Sequence, residues 1–370
     1  MTQDLSTTRV EHNLPSVAVI ITARDRPLEL ATTLEKLKEQ SYPRVGVIVV
    51  DDASTTSLES VTRNIWPDAL FIRNEECQGY VANRSRAMKL ANSEFLVSLD
   101  DDSCFTHPQD LLRAVHRMQV EPEIGVLTFG VYAGATPVPE RRLGQVEHYV
   151  TSFIGCGHMV RSSVVSRIGG YRDFYYYYGE ENEYSLRVWN AGWRVLFFPS
   201  VLVHHRISSV GRRNSRILAY SMRNNLWTTL LHMPVPRVAI QLAWRLVSYT
   251  AESIRLFQPQ AWIWGMGSFF WGLPRIIRLR KPIRPETLAL LDTISAGVIS
   301  RPDEIPCVRQ PGFGDLVAAF YAAWKNRPRS RSFWDRRRGG LGQSPTVMFE
   351  HNVQEVSDPG SRKRSLPKLR

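Results

Sequence analysis

Carboxylates dominate the residues that could do chemistry. Residues 99 to 103 read LDDDS, so Asp100, Asp101 and Asp102 directly follow the apolar run Phe95–Leu99. Acids at the end of a buried strand repel one another and resist desolvation unless something positive neutralises them. A divalent ion carrying a substrate diphosphate is such a partner, because Mg²⁺ or Mn²⁺ takes one or two carboxylates together with phosphate oxygens. A solvated acidic turn or a helix cap would use the same residue types. A second group, Glu180, Glu181 and Glu183, opens a helical pattern containing Leu186 and Val188. Acids there can serve the helix dipole, and one of them could also take the proton from an attacking hydroxyl. His204 and His205 close the apolar run Val195–Val203. They read either as surface residues or as imidazole ligands for a Mn²⁺-like ion.

These groups need elements that bring them together. Ser16–Thr22 (SVAVIIT) and Val45–Val50 (VGVIVV) read as buried strands, Phe71–Arg73 as a short third and Phe95–Leu99 as a fourth. Helical spacing falls between them over Leu28–Gln40 and Ala82–Ala91. This alternation predicts an α/β fold with a doubly wound, mostly parallel sheet flanked by helices. Ligands of such sheets sit beyond the carboxyl ends of the strands. Three strands end there in polar groups: Thr22–Arg26, Asp51 with Asp52, and the triplet.

Composition narrows the partners without choosing one. The 370 residues hold 47 basic and 35 acidic side chains, a net charge of +12. That excess points to nucleotide diphosphates, anionic lipid or nucleic acid. Cys77, Cys104, Cys156 and Cys307 lack the spacing of a zinc site or a disulfide framework. The N-terminal residues do not have the layout of a signal peptide. No apolar run reaches a membrane span, and the longest candidate, Ala261–Leu273, ends at Pro274. The expected location is cytoplasmic. Beyond residue 215, Arg237–Phe257 is amphipathic, Ala261–Ile277 is rich in Trp and Phe, and RIIRLRKPIR follows. This stretch reads either as helices packed on the catalytic domain or as a platform at the inner face of a membrane. Lys325–Arg338 is basic, and the tail reads as disordered. No nucleic-acid motif accompanies the charge.

Taken together, SVAVIITARDR, VIVVDDAS, EFLVSLDDDS, the stretch from FIGCGHMV to YGEENEYSLRVWNAGWRV, and HHRIS resemble glycosyltransferase family 2 over roughly residues 15 to 215. The resemblance implies a GT-A fold, a UDP- or dTDP-linked sugar donor, an acceptor hydroxyl, inversion at the anomeric carbon and a Mn²⁺ or Mg²⁺ cofactor. It implies that Thr22 and Arg26 contact the nucleotide, that Asp51 reads the base, and that Arg84 approaches the diphosphate or ribose. Asp100 and Asp102 match the metal-binding D-x-D pair, with Asp102 the direct ligand and Asp101 between them. His205 matches the metal-proximal histidine, with His204 as the alternative. The acceptor-side acids are Glu180 and Glu181 where the family usually has Glu-Asp or Asp-Asp. By alignment Glu181 is the base. Gly155, Cys156, Gly157 and His158 would form a close-approach loop near the sugar or acceptor, with Cys156 a small packed residue. Most of the aromatic run Phe174–Tyr178 would be packing, since five neighbours cannot all face one site.

The resulting layout is an N-terminal extension over 1–14, a catalytic domain over 15–215, a helical region over 216–324 and a basic tail over 325–370. Acceptors compatible with it are lipid-linked glycans, polysaccharides, proteins and small molecules. A nucleotidyltransferase would also use strand-end acids and metal, but ITARDR lacks its Gly-rich phosphate loop. A glycan-binding or membrane-scaffold protein would not need both acidic groups.

Overall fold

The computed structural model describes residues 14–133, 146–208 and 213–296. In chain order the strands are β1 (Val17–Ala23), β2 (Val45–Asp51), β3 (Leu70–Arg73), β4 (Phe95–Asp100), β5 (Ser103–Phe105), β6 (Ile124–Ala133), β7 (His148–Tyr149), β8 (Gly157–Arg161) and β9 (Arg194–His205). The helices are α1 (Pro27–Lys38), α2 (Glu59–Ile65), α3 (Tyr80–Leu90), α4 (Asp110–Val120), α5 (Ser162–Ile168), α6 (Glu180–Asn190), α7 (Asn214–His232), α8 (Val235–Arg255), α9 (Pro259–Arg278) and α10 (Pro285–Ser295).

All strands join one sheet, ordered β3-β2-β1-β4-β8-β6-β9-β5, with β7 added beside β9. From β3 to β4 the pairs are parallel. Every residue of β1 is buried, as a parallel strand covered on both faces requires. Beyond β4 the sheet is mixed: β8 runs antiparallel to β4 and β6, while β6 and β9 are parallel. The α/β expectation holds, and the parallel half is where the predicted strands lie.

Register decides what meets at the sheet's carboxyl edge. Thr22 on β1 pairs with both Val50 and Asp100, and Ala23 pairs with Asp51. Strand β9 returns His205 to Ser103, next to the triplet. Helix α1 starts with Pro27 in its first turn, where the missing N–H costs nothing, and buries Leu30, Leu34 and Leu37.

Helices α7 to α10 follow the sheet, and α7 packs against α6, α8 and α9. Helix α9 continues through Pro274 to Arg278. Pro274 lies on the exposed side of the helix. Among the described residues no helix is long and apolar enough to cross a membrane. Residues 1–13, the part of the 216–324 region beyond Ala296, and the basic tail lie outside the described residues.

Candidate active site

The triplet turns its three acids in different directions. Asp100 receives the guanidinium of Arg84, which reaches it from α3. Asp101 accepts from Arg26 Nη1 at 2.9 Å. Asp102 accepts the backbone N–H of Ser208 at 2.7 Å through one oxygen, and its other oxygen lies 3.1 Å from His205 Nε2. Burial pushes Asp101 up to about 7 against the pull of Arg26. Burial would raise Asp102 too, but His205, the Ser208 amide and Arg26 hold it well below the usual carboxylate range.

His205 is the histidine brought to this cluster. Its neighbour His204 projects from the other face of β9, where its ring meets Tyr132 at 5.6 Å, as strand alternation demands. His205 Nε2 also lies 3.9 Å from Asp100. It is buried, yet neither approach is a properly directed hydrogen bond. On the opposite side of the ring, Nδ1 meets the Cys156 sulfur at 3.7 Å. Burial opposes charge on this imidazole, but Cys156, Asp102 and Asp100 outweigh it and push it up to about 11. A proton there does what a cation would do: it neutralises converging acids.

Ligand atoms of Asp100, Cys156 and His205 all lie within 4.8 Å of one another. With Asp102 beside them, the carboxylates and the imidazole suit Mn²⁺ or Mg²⁺, whereas a thiol is a softer donor than those ions prefer. The residues present fit a divalent ion held by Asp100, Asp102 and His205. Cys156 is more than the small packed residue expected of it, because its sulfur belongs to this cluster.

The second acidic group sits at the start of α6. Gly179 precedes it with φ of 88°, a left-handed conformation that glycine adopts without strain. Glu180 is buried and accepts from Tyr80 Oη at 3.1 Å through Oε2. Its Oε1 makes no hydrogen bond and lies 3.9 Å from Arg84 Nη1. Glu181 is half-buried. A side chain on Gly155 would strike both the Glu181 carboxylate and Arg84, so this glycine is needed for the close approach. Burial and the charge of Glu181 push Glu180 well up, and burial raises Glu181. Glu183 points elsewhere, into Arg172, Arg187 and His232. Arg187 and the His232 contact overcome its burial and hold it well below the usual carboxylate range.

Other expected residues take different places. Asp51 is fully buried and accepts the backbone N–H groups of Ser54 and Leu58 at 2.9 and 3.2 Å. Its carboxylate therefore holds its own loop, a task set by the unpaired amides of the turn after β2. Asp52 does the same for Gln78 and Gly79. Thr22 is buried at the end of β1. His158 is also internal: it contacts the Ile154 carbonyl and Tyr171 Oη, each at 2.9 Å. Burial and Arg84 push it down to about 3, so it is neutral. A depression of about 530 Å³ opens between Arg73, Asn74, Gln78, Asn83 and Arg86, beside Asp52.

Two contributors carry no sequence signal of their own. Tyr80 supports Glu180. Asn224 of α7 donates through Nδ2 to the carbonyls of Tyr175, Tyr177 and Tyr178 at 3.0, 2.9 and 2.5 Å. That clamp holds the loop before α6, where Tyr176 and Tyr178 have φ of 62° and 60°. Such positive values cost energy in a residue with a Cβ. For Cys156, the flanking glycines are the only local clue.

With this geometry in place, comparison with known proteins matches part of the chain to a known family. The signature described as glycosyl transferase family 2 matches residues 18–178. The chain carries a family 2 glycosyl transferase domain. Among curated relatives, an uncharacterized glycosyltransferase of Haemophilus influenzae is 28% identical over 111 residues, 30% of this chain and 37% of that protein. An Escherichia coli UDP-Glc:alpha-D-GlcNAc-diphosphoundecaprenol beta-1,3-glucosyltransferase is 26% identical over 106 residues, 28% of this chain and 42% of that one. The match therefore spans less than half the length of either relative. Among solved structures, the mannosyltransferase of Pyrobaculum calidifontis in complex with GDP-Man and Mn²⁺ aligns with a TM-score of 0.50 and 17% identity, covering 86% of this chain and 89% of that one. S. aureus TarS 1-349 in complex with UDP-GlcNAc gives 0.52 and 17%, covering 76% and 87%. The family 2 domain has the GT-A fold.

Proposed function

We propose that this protein is an inverting glycosyltransferase that moves a sugar from a UDP- or dTDP-linked donor to a hydroxyl of a lipid-linked glycan. The observation that carries this reading is Arg84. One buried guanidinium lies against Asp100 of the donor-side triplet and within 3.9 Å of Glu180 of the acceptor-side pair. The two acidic groups thus border one space, as a direct displacement requires. The lipid-linked acceptor is supported by the diphosphoundecaprenol substrate in the name of the Escherichia coli relative. UDP-sugar use is supported by that relative and by the UDP-GlcNAc complex of TarS.

Asp100, Asp102 and His205 would hold Mn²⁺ or Mg²⁺, which when bound supplies positive charge against the donor diphosphate. Arg26, fixed by Asp101, adds fixed positive charge at the same edge. Thr22 and the loops held by Asp51 and Asp52 line the nucleotide. Glu181 accepts the proton of the acceptor hydroxyl as its oxygen bonds to the anomeric carbon. The bond from that carbon to the diphosphate oxygen breaks, and the nucleoside diphosphate leaves from the opposite face. Configuration inverts in this one step. Glu180, held by Tyr80 and Arg84, neighbours Glu181 and lowers its proton affinity against the burial that raises it. Work at the cytoplasmic face of a membrane follows from the acceptor. The domain organisation we infer is catalysis over 15–215 and a helical, surface-directed region from 216.

The test is a panel of nucleotide sugars screened by thermal shift with and without Mn²⁺. The stabilising donor is then incubated with undecaprenyl-diphosphate-linked glycans, and the product's anomeric configuration is read by NMR. A donor bound without metal, or a product with retained configuration, rejects the mechanism.

A further inference from the structure

Helix α8 packs Val238, Leu242 and Leu246 on the core and still presents apolar side chains to water. Its polar side chains point inward: Arg245 donates to Asn225 at 3.0 Å, Arg237 pairs with Asp292, and Tyr249 Oη reaches the Ser221 carbonyl. Its exposed positions beyond the first turn are Ala239, Ile240, Ala243, Val247, Ala251 and Ile254. Helix α9 repeats the pattern. It buries Ala261, Gly265, Phe269 and Ile276, and exposes Ile263, Trp264, Phe270, Trp271 and Ile277. Trp271 is 90% exposed, and Phe257 in the connecting turn is 86% exposed. Single exposed apolar residues are ordinary, but two packed helices each presenting an apolar outer face are not.

We infer that the outer faces of α8 and α9 seat this protein on an anionic membrane surface. Two observations select lipid as the occupant. Residues 235–284 hold eight basic side chains and one acid, and Arg275, Arg278, Lys281 and Arg284 are exposed beside the apolar face. Tryptophan and phenylalanine next to Lys and Arg are what a headgroup boundary accommodates. Neither helix can cross the bilayer, so the seat lies in its surface. A chain of rings also runs from this face toward the site. Trp264 meets Tyr220 at 4.8 Å, Tyr220 meets Tyr177 at 5.7 Å, and Tyr177 meets Tyr80, the hydrogen-bond partner of Glu180, at 5.6 Å. The seat therefore brings the acceptor-side acids close to the lipid plane. Only this last point rests on the glycosyltransferase reading; binding to lipid does not.

The experiment is flotation of the full chain with phosphatidylglycerol-containing vesicles, with pure phosphatidylcholine vesicles as the control. Wild-type protein should float with the anionic vesicles and be released by salt. Phe270→Glu with Trp271→Glu, and separately Val247→Glu with Ile254→Glu, should each lower the bound fraction at least about tenfold. Their circular dichroism melts should match wild type, because all four side chains are exposed. Wild-type protein that stays in solution overturns the seat, as do variants that float like wild type. A dimer in sedimentation velocity that both variant pairs dissolve also overturns it, since a second copy would then cover the face. Flotation with no transfer activity would reject the catalytic reading and leave the seat standing.

Discussion

Asp100 ends β4 and Glu180 opens α6, yet both lie against the single guanidinium of Arg84. Arg84 is itself almost fully buried, stacks on Tyr80, and has Nε without a partner. Burial disfavours its charge, but Asp100 and the other neighbours raise its proton affinity further, so it stays charged. Removing it would leave buried Glu180 and half-buried Asp100 without their shared cation. Arg84→Met should therefore cost about 3–5 kcal/mol, the usual penalty for breaking a buried charge pair from one side. Urea unfolding reads this directly. A loss below about 1 kcal/mol would mean that solvent reaches Asp100 and Glu180 freely.

Gly155 tests the same space from its floor. Gly155→Ala places a methyl group against the Glu181 carboxylate and Arg84. Turnover should fall by about 10²-fold, the scale of a small misplacement of reacting groups. Nucleotide affinity with Mn²⁺ should hold, because Asp102 and His205 are not displaced. Equal loss of both would put Gly155 against the donor instead.

The donor side is largely legible in the sequence. A strand's polar end follows from where its apolar run stops, so Thr22, Asp51 and the triplet can be placed from residue order alone. What alternation cannot supply is the direction of a carboxylate. Asp51 and Asp52 both end β2, yet each is occupied by backbone amides of a following loop. The same limit leaves His204 and His205 equivalent as sequence, and only the strand register separates them. Asn224 is out of reach for another reason. It serves a loop more than forty residues earlier in the chain, and contacts of that kind have no local pattern. Helix α8 is legible as amphipathic, but not which side faces out.

Asn224 should matter more than its distance from the acids suggests. Asn224→Ala removes the donors that hold Tyr176 and Tyr178 at positive φ. We expect about 1–3 kcal/mol of destabilisation from the unpaired carbonyls. The fall in kcat should exceed any rise in donor KM, because the loop leads into Glu180 and Glu181. Asn224→Asp, which keeps the size but loses the donors, should fail to restore activity. Restoration would show that shape alone suffices.

The metal site predicts a paired result. Asp102→Ala and His205→Ala should each abolish Mn²⁺-dependent stabilisation by UDP or dTDP in thermal shift, and His204→Ala should not. Cys156→Ser separates the two possible ligand sets. If the sulfur only neighbours His205, Mn²⁺ dependence persists in the serine variant, as hard oxygen donors would allow. If dependence on Mn²⁺ is lost with Cys156→Ser alone, the thiol is a ligand and a softer ion is the native one.

If Glu181 is the base, as we propose, its neighbours make the test specific. Glu181→Gln keeps size and hydrogen bonding but cannot take a proton, so turnover should fall by about 10²–10⁴. Glu183→Gln should act through stability instead, since Glu183 is locked to Arg172, Arg187 and His232. Turnover per folded molecule should then stay near normal. The pH profile adds a second readout. A base works only when deprotonated, and burial raises Glu181 above the ordinary glutamate value of 4.5. Activity should therefore rise with pH through a midpoint above that value. The charge of Asp100 raises it further, whereas Glu180, itself pushed well up by burial, lowers it. In Glu180→Leu that lowering is lost, so the midpoint should move up, further from 4.5. If Glu180→Gln abolishes turnover while Glu181→Gln stays active, Glu180 is the base, one residue earlier than the alignment places it.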